Sequence, residues 1–327
     1  MKRPFRTYNQ QLRILRGRNL IISNGSKAIS ILKREGYYNI INGYKEIFLD
    51  SNITKQRLDD WYKNGTRFEH IVALYDFDRE LRSILLKYIL EVEKYLKTTV
   101  SYHFSSKHRD IFNYLNMNNF DDTNIEEVAK LIYSLSGVIK NNSGKKNQDA
   151  PIYHYLSEHQ ELPLWVLVTK MSFGNIVNFY HNMKPVDKLI VVKTIVSAYE
   201  KCYRVSLGTP ITQQVEILPR MLTFINVFRN ICAHEERLFN VVHTNRSKNK
   251  LPLTHFHQAN QLTFSARVID CVIILGLFIS KKDYKNMISA IKKEIDVLGG
   301  KVPAPTKNLI LSKMGFNSTW ENSVKLI

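Results

Sequence analysis

Residues 68–102 read FEHIVALYDFDRELRSILLKYILEVEKYLKTTVSY, and neither glycine nor proline interrupts them. Apolar side chains recur at Ile71, Leu74, Tyr75, Leu81, Leu85, Tyr88, Ile89, Val92 and Leu96, the spacing of a helix with one apolar stripe. Asp, Arg, Glu and Lys fill the other side. A breaker-free run of this length predicts one long helix, the spine of the fold. Outward from it, the same periodicity predicts helices over 8–16, 26–34, 124–140, 165–170, 176–181, 188–203, 213–238, 256–280 and 283–298. Nothing alternates at period two for long enough to build a sheet, so the expected fold class is all-α. A small N-terminal helical section (1–66) is expected to pack on a main helical domain (67–298), with a C-terminal tail (299–327) lying over it.

The chain has 327 residues, enough for a sizeable core, and its 44% hydrophobic content excludes a disordered polymer. Its unusual feature is charge: 47 basic against 29 acidic residues leave +18. Such an excess favours a polyanionic partner, nucleic acid before an acidic membrane face. Cys202, Cys232 and Cys271 lie far apart, without metal or disulfide spacing, which fits a reducing cytoplasm. The first residues carry charge but no apolar leader core. The most apolar run, Cys271 to Ile279, is about half of what spans a bilayer and reads as a buried core helix. The expected setting is soluble and cytoplasmic, with no membrane partner.

Breakers and lysines cluster at 141–149 and 244–252, and a further loop is expected at 207–210. Lys145, Lys146, Arg246, Lys248 and Lys250 are there candidates for contacts to an RNA backbone, with simple solvated turns as the alternative. No HExxH, phosphate-binding loop, dinucleotide fingerprint or Cys/His cluster occurs, so neither metal nor cofactor is expected. His255 and His257 flank Phe256 and read as a solvated helix start; His154 reads as packing or capping.

His234 differs. It lies in Phe228-Arg-Asn-Ile-Cys-Ala-His-Glu-Glu-Arg-Leu-Phe-Asn240, near the end of an expected amphipathic helix backed by Leu222, Ile225, Phe228 and Ile231. Helical spacing would set Asn230, His234 and Arg237 on one face, with Arg229 beside them. RNA carries its own nucleophile, the 2′-OH. An imidazole can move the proton of that hydroxyl or of the leaving 5′ oxygen, and a guanidinium fork matches the charge that builds on the phosphate. Arg229, His234 and Asn230 are therefore the catalytic candidates and Arg237 a phosphate contact. One imidazole cannot easily serve both proton transfers, which suggests a two-fold homodimer. By spacing alone the pattern is weak, and a helix end with His234 and Arg237 facing the dipole would look alike.

The same segment resembles the Arg-Asn-x-x-x-His signature of the bacterial abortive-infection (Abi) family, AbiD/AbiF type, in the HEPN superfamily. Residues 3–15, 36–44, 68–82 with 89–93, 162–165, 172–174 and 314–320 resemble further blocks of that family in the expected order. In the tyrosine block the chain reads Asn-Ile-Ile-Asn-Gly where Arg-Leu-Ser-Gly is commoner. The resemblance implies a HEPN-type helical bundle and phage defence by an RNA-cleaving toxin. It implies cleavage without metal, leaving a 2′,3′-cyclic phosphate and a 5′-OH, at a composite site in a homodimer. It also implies RNA as substrate and a small non-coding RNA as partner. Arg229 and His234 carry over as the catalytic pair, with Asn230 beside them.

Two other readings stand beside this hydrolase: a non-catalytic RNA-binding module acting stoichiometrically, and a toxin-like or protein-binding regulator. On the long helix, Arg79, Arg82, Glu91 and Glu93 are the polar residues of interest. Either they form a solvated face of ion pairs, or Arg79 or Arg82 meets RNA and Glu93 orients an active-site arginine. Trp165 reads as core rather than as a base-stacking platform.

Overall fold

The computed structural model describes residues 4–144, 151–207, 210–243 and 264–324. Lys145, Lys146, Arg246, Lys248, Lys250, His255 and His257 lie outside the described residues. Among those described, helices make an all-α fold, and strand pairing is confined to isolated bridges such as Ile21 with Arg67 and Leu49 with Tyr62.

Local chemistry starts the N-terminal helices. α1 (Tyr8–Gly17) begins in a capping box, where Thr7 Oγ1 accepts from the Gln10 N–H and Gln10 reaches back to Thr7. Asn24 caps α2 (Gly25–Glu35), and Asp50 caps α3 (Ser51–Arg57) by accepting from the Asn52 and Ile53 amides. Between α2 and α3 the chain makes a wide π-helical turn at Tyr38–Asn42 and a tight 3₁₀ turn at Lys45–Phe48, whose Ile40, Ile41, Ile47 and Phe48 are buried.

The spine is α4 (Phe68–Lys107), 40 residues and about 60 Å long. It extends five residues beyond the periodic stretch. Around it lie α7 (Leu164–Leu167), α8 (Phe173–Asn182), α9 (Pro185–Tyr203), α10 (Ile211–Ala233), α11 (Val268–Leu275) and α12 (Lys281–Gly299), each in contact with it. Because neighbours cover it from several sides, its buried set widens beyond the stripe to include Phe68, Ala73, Phe77, Val100 and Phe104. α5 (Ile125–Asn142) packs on α8, and α6 (Pro151–Glu158) touches both α5 and α7.

α11 is buried at all eight positions. Eight residues are too few to hold a helix in water. Burial of each Val, Ile or Leu contributes roughly 1.5–3 kcal/mol and offsets that weakness. The helix expected at 256–280 is thus shorter: the described residues 264–267 are not helical, and α11 stops at Leu275. No helix among the described residues is long and apolar enough to cross a membrane.

The described residues after 299 contain two more helices. α13 (Ala304–Met314) and α14 (Trp320–Ser323) bury Ile310, Met314, Phe316 and Trp320, and α13 touches both α12 and the turn at Lys45–Phe48. The sequence pattern missed α3, α6, α13 and α14, all short or weakly amphipathic. His154, expected to pack or cap, is exposed and meets His159 edge to face.

Candidate active site

α10 carries the motif, and its end differs from expectation. The apolar face buries Leu218, Leu222, Ile225, Phe228 and Ile231, but the helix stops at Ala233 instead of Leu238. His234 is the C-cap, its N–H donating to the Asn230 carbonyl at 2.9 Å. Glu235 turns left-handed at φ 56°, and the Glu236 N–H reaches back to the Ile231 carbonyl at 3.0 Å. That six-to-one bond is the Schellman ending, normally built on glycine. A non-glycine residue there stores strain of order 1–2 kcal/mol.

Arg229 and Asn230 therefore sit on the last turn, and His234 stands just past it. Asn230 and residues 233–236 are exposed. Arg229 is half-buried: its Nε lies 3.7 Å from Glu93 Oε2 on α4, and one terminal nitrogen donates to Asn230 Oδ1 at 3.4 Å. Glu93 is itself buried, and its other oxygen accepts from Lys97 Nζ at 2.7 Å. The carboxylate thus forms an ion pair with the guanidinium without a hydrogen bond between Nε and Oε2, while the fork reaches Asn230. Both sequence readings of Glu93 have a counterpart here, an ion pair within α4 to Lys97 and a contact to Arg229.

Arg237 and Arg82 do not join that surface. With the helix ended, Arg237 leaves the face of Asn230 and His234; it donates to the Gly43 carbonyl at 2.7 Å and lies 3.7 Å from Glu46 Oε2. It ties the motif's downstream strand of chain to the N-terminal section. Arg82, expected to meet RNA, is buried, so a phosphate has no approach to it. Its guanidinium donates to Asp78 Oδ2 at 2.6 Å, to Tyr44 Oη at 3.2 Å and to the Glu236 carbonyl at 3.2 Å. Arg79 is part-exposed but ringed by acid, with Asp76 at 3.4 Å, Glu80 at 3.6 Å and Glu35 at 3.8 Å. Those carboxylates offset the charge that would attract RNA.

Sequence reasoning missed Asp78. Its carboxylate is fully buried and accepts from Tyr44 Oη (2.7 Å), Arg82, the Leu238 N–H (3.0 Å) and the Phe239 N–H (2.7 Å). Burial pushes this carboxyl above its ordinary value, against the pull of the two amides and the guanidinium. Tyr44 stacks on Phe239, and burial raises its phenol well above normal. One side chain thus fixes the chain leaving His234. A signal existed: Asp78 and Arg82, four apart, both interrupt the apolar stripe, which on a buried helix face marks a paired charge.

Trp165 is corrected as well. Its neighbours Leu164, Val166 and Leu167 are buried on α7, while Trp165 itself is 57% exposed.

Residues 30–240 match the family model described as Abi-like protein, over more than half of the chain. This chain belongs to the Abi-like protein family. The match contains α4 with Asp78, Arg82 and Glu93, the Leu-Pro-Leu-Trp block and the whole of the motif to Asn240; the opening block (3–15) and the closing block (314–320) lie outside it. Membership in the Abi-like family points to abortive infection, the defence against phage. No curated protein matches the chain, and no solved structure does.

Proposed function

We propose that this Abi-like protein is a HEPN-type endoribonuclease of phage defence, cutting RNA without metal at Arg229 and His234. The observation that carries the reading is the bracing of Arg229 by buried Glu93 at 3.7 Å, beside Asn230 and one turn from the exposed His234. A pre-oriented guanidinium stabilises the phosphate charge that develops in the transition state without having to reorganise. The imidazole moves the 2′-OH or 5′-oxygen proton, and the substrate's own hydroxyl attacks phosphorus, leaving a 2′,3′-cyclic phosphate and a 5′-OH.

The second proton transfer falls to a second copy. The exposed residues 233–236, at and just past the end of α10, are the surface through which a two-fold homodimer would bring two such sites together. The net charge of +18 suits RNA as substrate and a bound small RNA as regulator.

Purified protein should cleave single-stranded RNA in EDTA, yielding cyclic-phosphate ends. His234→Ala and Arg229→Ala should each lose at least about a hundredfold in rate, the scale of a general acid–base group, while keeping the helical circular dichroism of the parent. Cleavage by His234→Ala at the parent rate would remove the assignment.

A further inference from the structure

The wall of the candidate site continues past Glu93. An open groove of about 460 Å³ runs beside α4, lined by Leu90, Glu93, Lys94 and Lys97 of that helix and, across from them, by Trp165 and Val168. Leu90 is 47% exposed and Trp165 57% exposed, whereas the residues on either side of Trp165 anchor α7 in the core. The indole is thus held out from a fixed backbone. The other two tryptophans are covered: the Arg57 guanidinium lies 3.8 Å over Trp61, and Trp320 is buried. The exposed indole thus faces the groove across from Lys94 and offers a flat apolar surface to an aromatic ligand.

We propose that this groove is a track for single-stranded RNA, with one base stacked on Trp165 and the backbone phosphates carried past the exposed Lys94. The substrate class rests on the nuclease reading above. Every base offers a π-face, so such a platform grips a strand without reading sequence, and Lys94 supplies the salt-dependent part. A duplex keeps its bases stacked inside and cannot use the indole.

A cavity of about 240 Å³ adjoins the groove and shares Trp165 with it. In its lining Ser105 Oγ and Asn113 Oδ1 are buried without hydrogen-bond partners, and Arg109 is exposed at its edge. Asn113 Nδ2 already donates to the His108 carbonyl, which leaves Oδ1 to accept, as from the exocyclic amine of a neighbouring base. From Glu93 to Ser105 the helix covers about 18 Å, so the track would lead from the cavity to the braced arginine. A second copy of the chain suits the groove less well, because a two-fold contact there would bring Lys94 toward its own counterpart.

The test measures fluorescence anisotropy of a labelled single-stranded RNA of mixed sequence, and of its duplex, against His234→Ala protein, which spares the strand. Adding Trp165→Ala should weaken the single strand about tenfold, with Trp165→Phe recovering most of it and the duplex unmoved. Unchanged single-strand affinity in the Trp165→Ala protein overturns the track. So does a change of sedimenting mass with no change in affinity, which would assign the groove to a second copy. Neither result touches the cleavage assays on His234→Ala and Arg229→Ala; conversely, a His234→Ala protein that still cleaves sinks the nuclease reading, and the same anisotropy comparison with Arg229→Ala protein still decides the groove.

Discussion

At the residue scale, two buried carboxylates on α4 do different work. Glu93 touches Arg229 and should act as a positioning residue. Glu93→Gln keeps the shape and removes the charge, and a guanidinium free to drift by even an ångström loses rate steeply. We expect kcat for RNA cleavage to fall about tenfold to a hundredfold with KM nearly unchanged; a rise in KM at constant kcat would place Glu93 in RNA binding instead. Asp78 holds chain rather than chemistry. Asp78→Asn leaves the Arg82 guanidinium buried with its charge unpaired, and urea unfolding should show a loss of about 3–5 kcal/mol. Adding Arg82→Met should not restore it, because the Leu238 and Phe239 amides, which donate to Asp78, remain without a full carboxylate. Full rescue by the double variant would mean that the ion pair alone matters.

At the element scale, the endings of α10 and the start of α4 are the informative places. Glu235 occupies a left-handed turn that glycine adopts freely. Glu235→Gly should therefore raise stability by up to about 1 kcal/mol, whereas Glu235→Val, β-branched, should lower it. Thermal melts of the pair decide it, and equal shifts would mean that the turn is unstrained. At the other site, His70 Nδ1 accepts from the Arg67 N–H at 3.3 Å in the first turn of α4. Burial, helped by the Arg67 charge, holds this imidazole below its ordinary value. As pH falls, the unfolded chain therefore takes up its proton first. The contribution of His70 is complete above about pH 6.5 and declines as pH drops toward the native-state value. Protonation also removes the acceptor and puts positive charge at a helix N-terminus. His70→Gln should show a smaller drop in urea midpoint between neutral and mildly acidic pH than the parent; an identical drop would clear His70 of that role.

At the scale of the whole molecule, α4 passes through the middle; the turn at Tyr38–Asn42 and α12 pack on it, and α13 packs on α12 and on the turn at Lys45–Phe48. At Gly315 φ is +85°, and a Cβ there would lie 2.6 Å from Ile269 Cγ2 on buried α11. Gly315→Ala should lower stability by about 2–4 kcal/mol, combining left-handed strain with overpacking. A neutral result in urea would mean that the C-terminal helices contribute little to the fold. By the same logic the N-terminal section is fastened through Tyr44 to Asp78 and through the Gly43 carbonyl to Arg237, so the motif's downstream chain is held from both sides.

The sequence by itself determined the all-α class, the position of the spine, the first residues of α1, α2 and α4 to within a residue, and the existence of the Arg229–His234 motif. Those properties are local, written in periodicity, caps and the scarcity of breakers. Only the tertiary structure decided that α10 ends at Ala233, that Glu93 braces Arg229, that Arg82 faces inward to Asp78 and that Trp165 faces out. The reason is that helical spacing fixes which side chains share a face but not what that face meets. A charge on a stripe reads the same whether water or a buried carboxylate lies opposite, and an indole reads as core until the neighbouring helix fails to cover it.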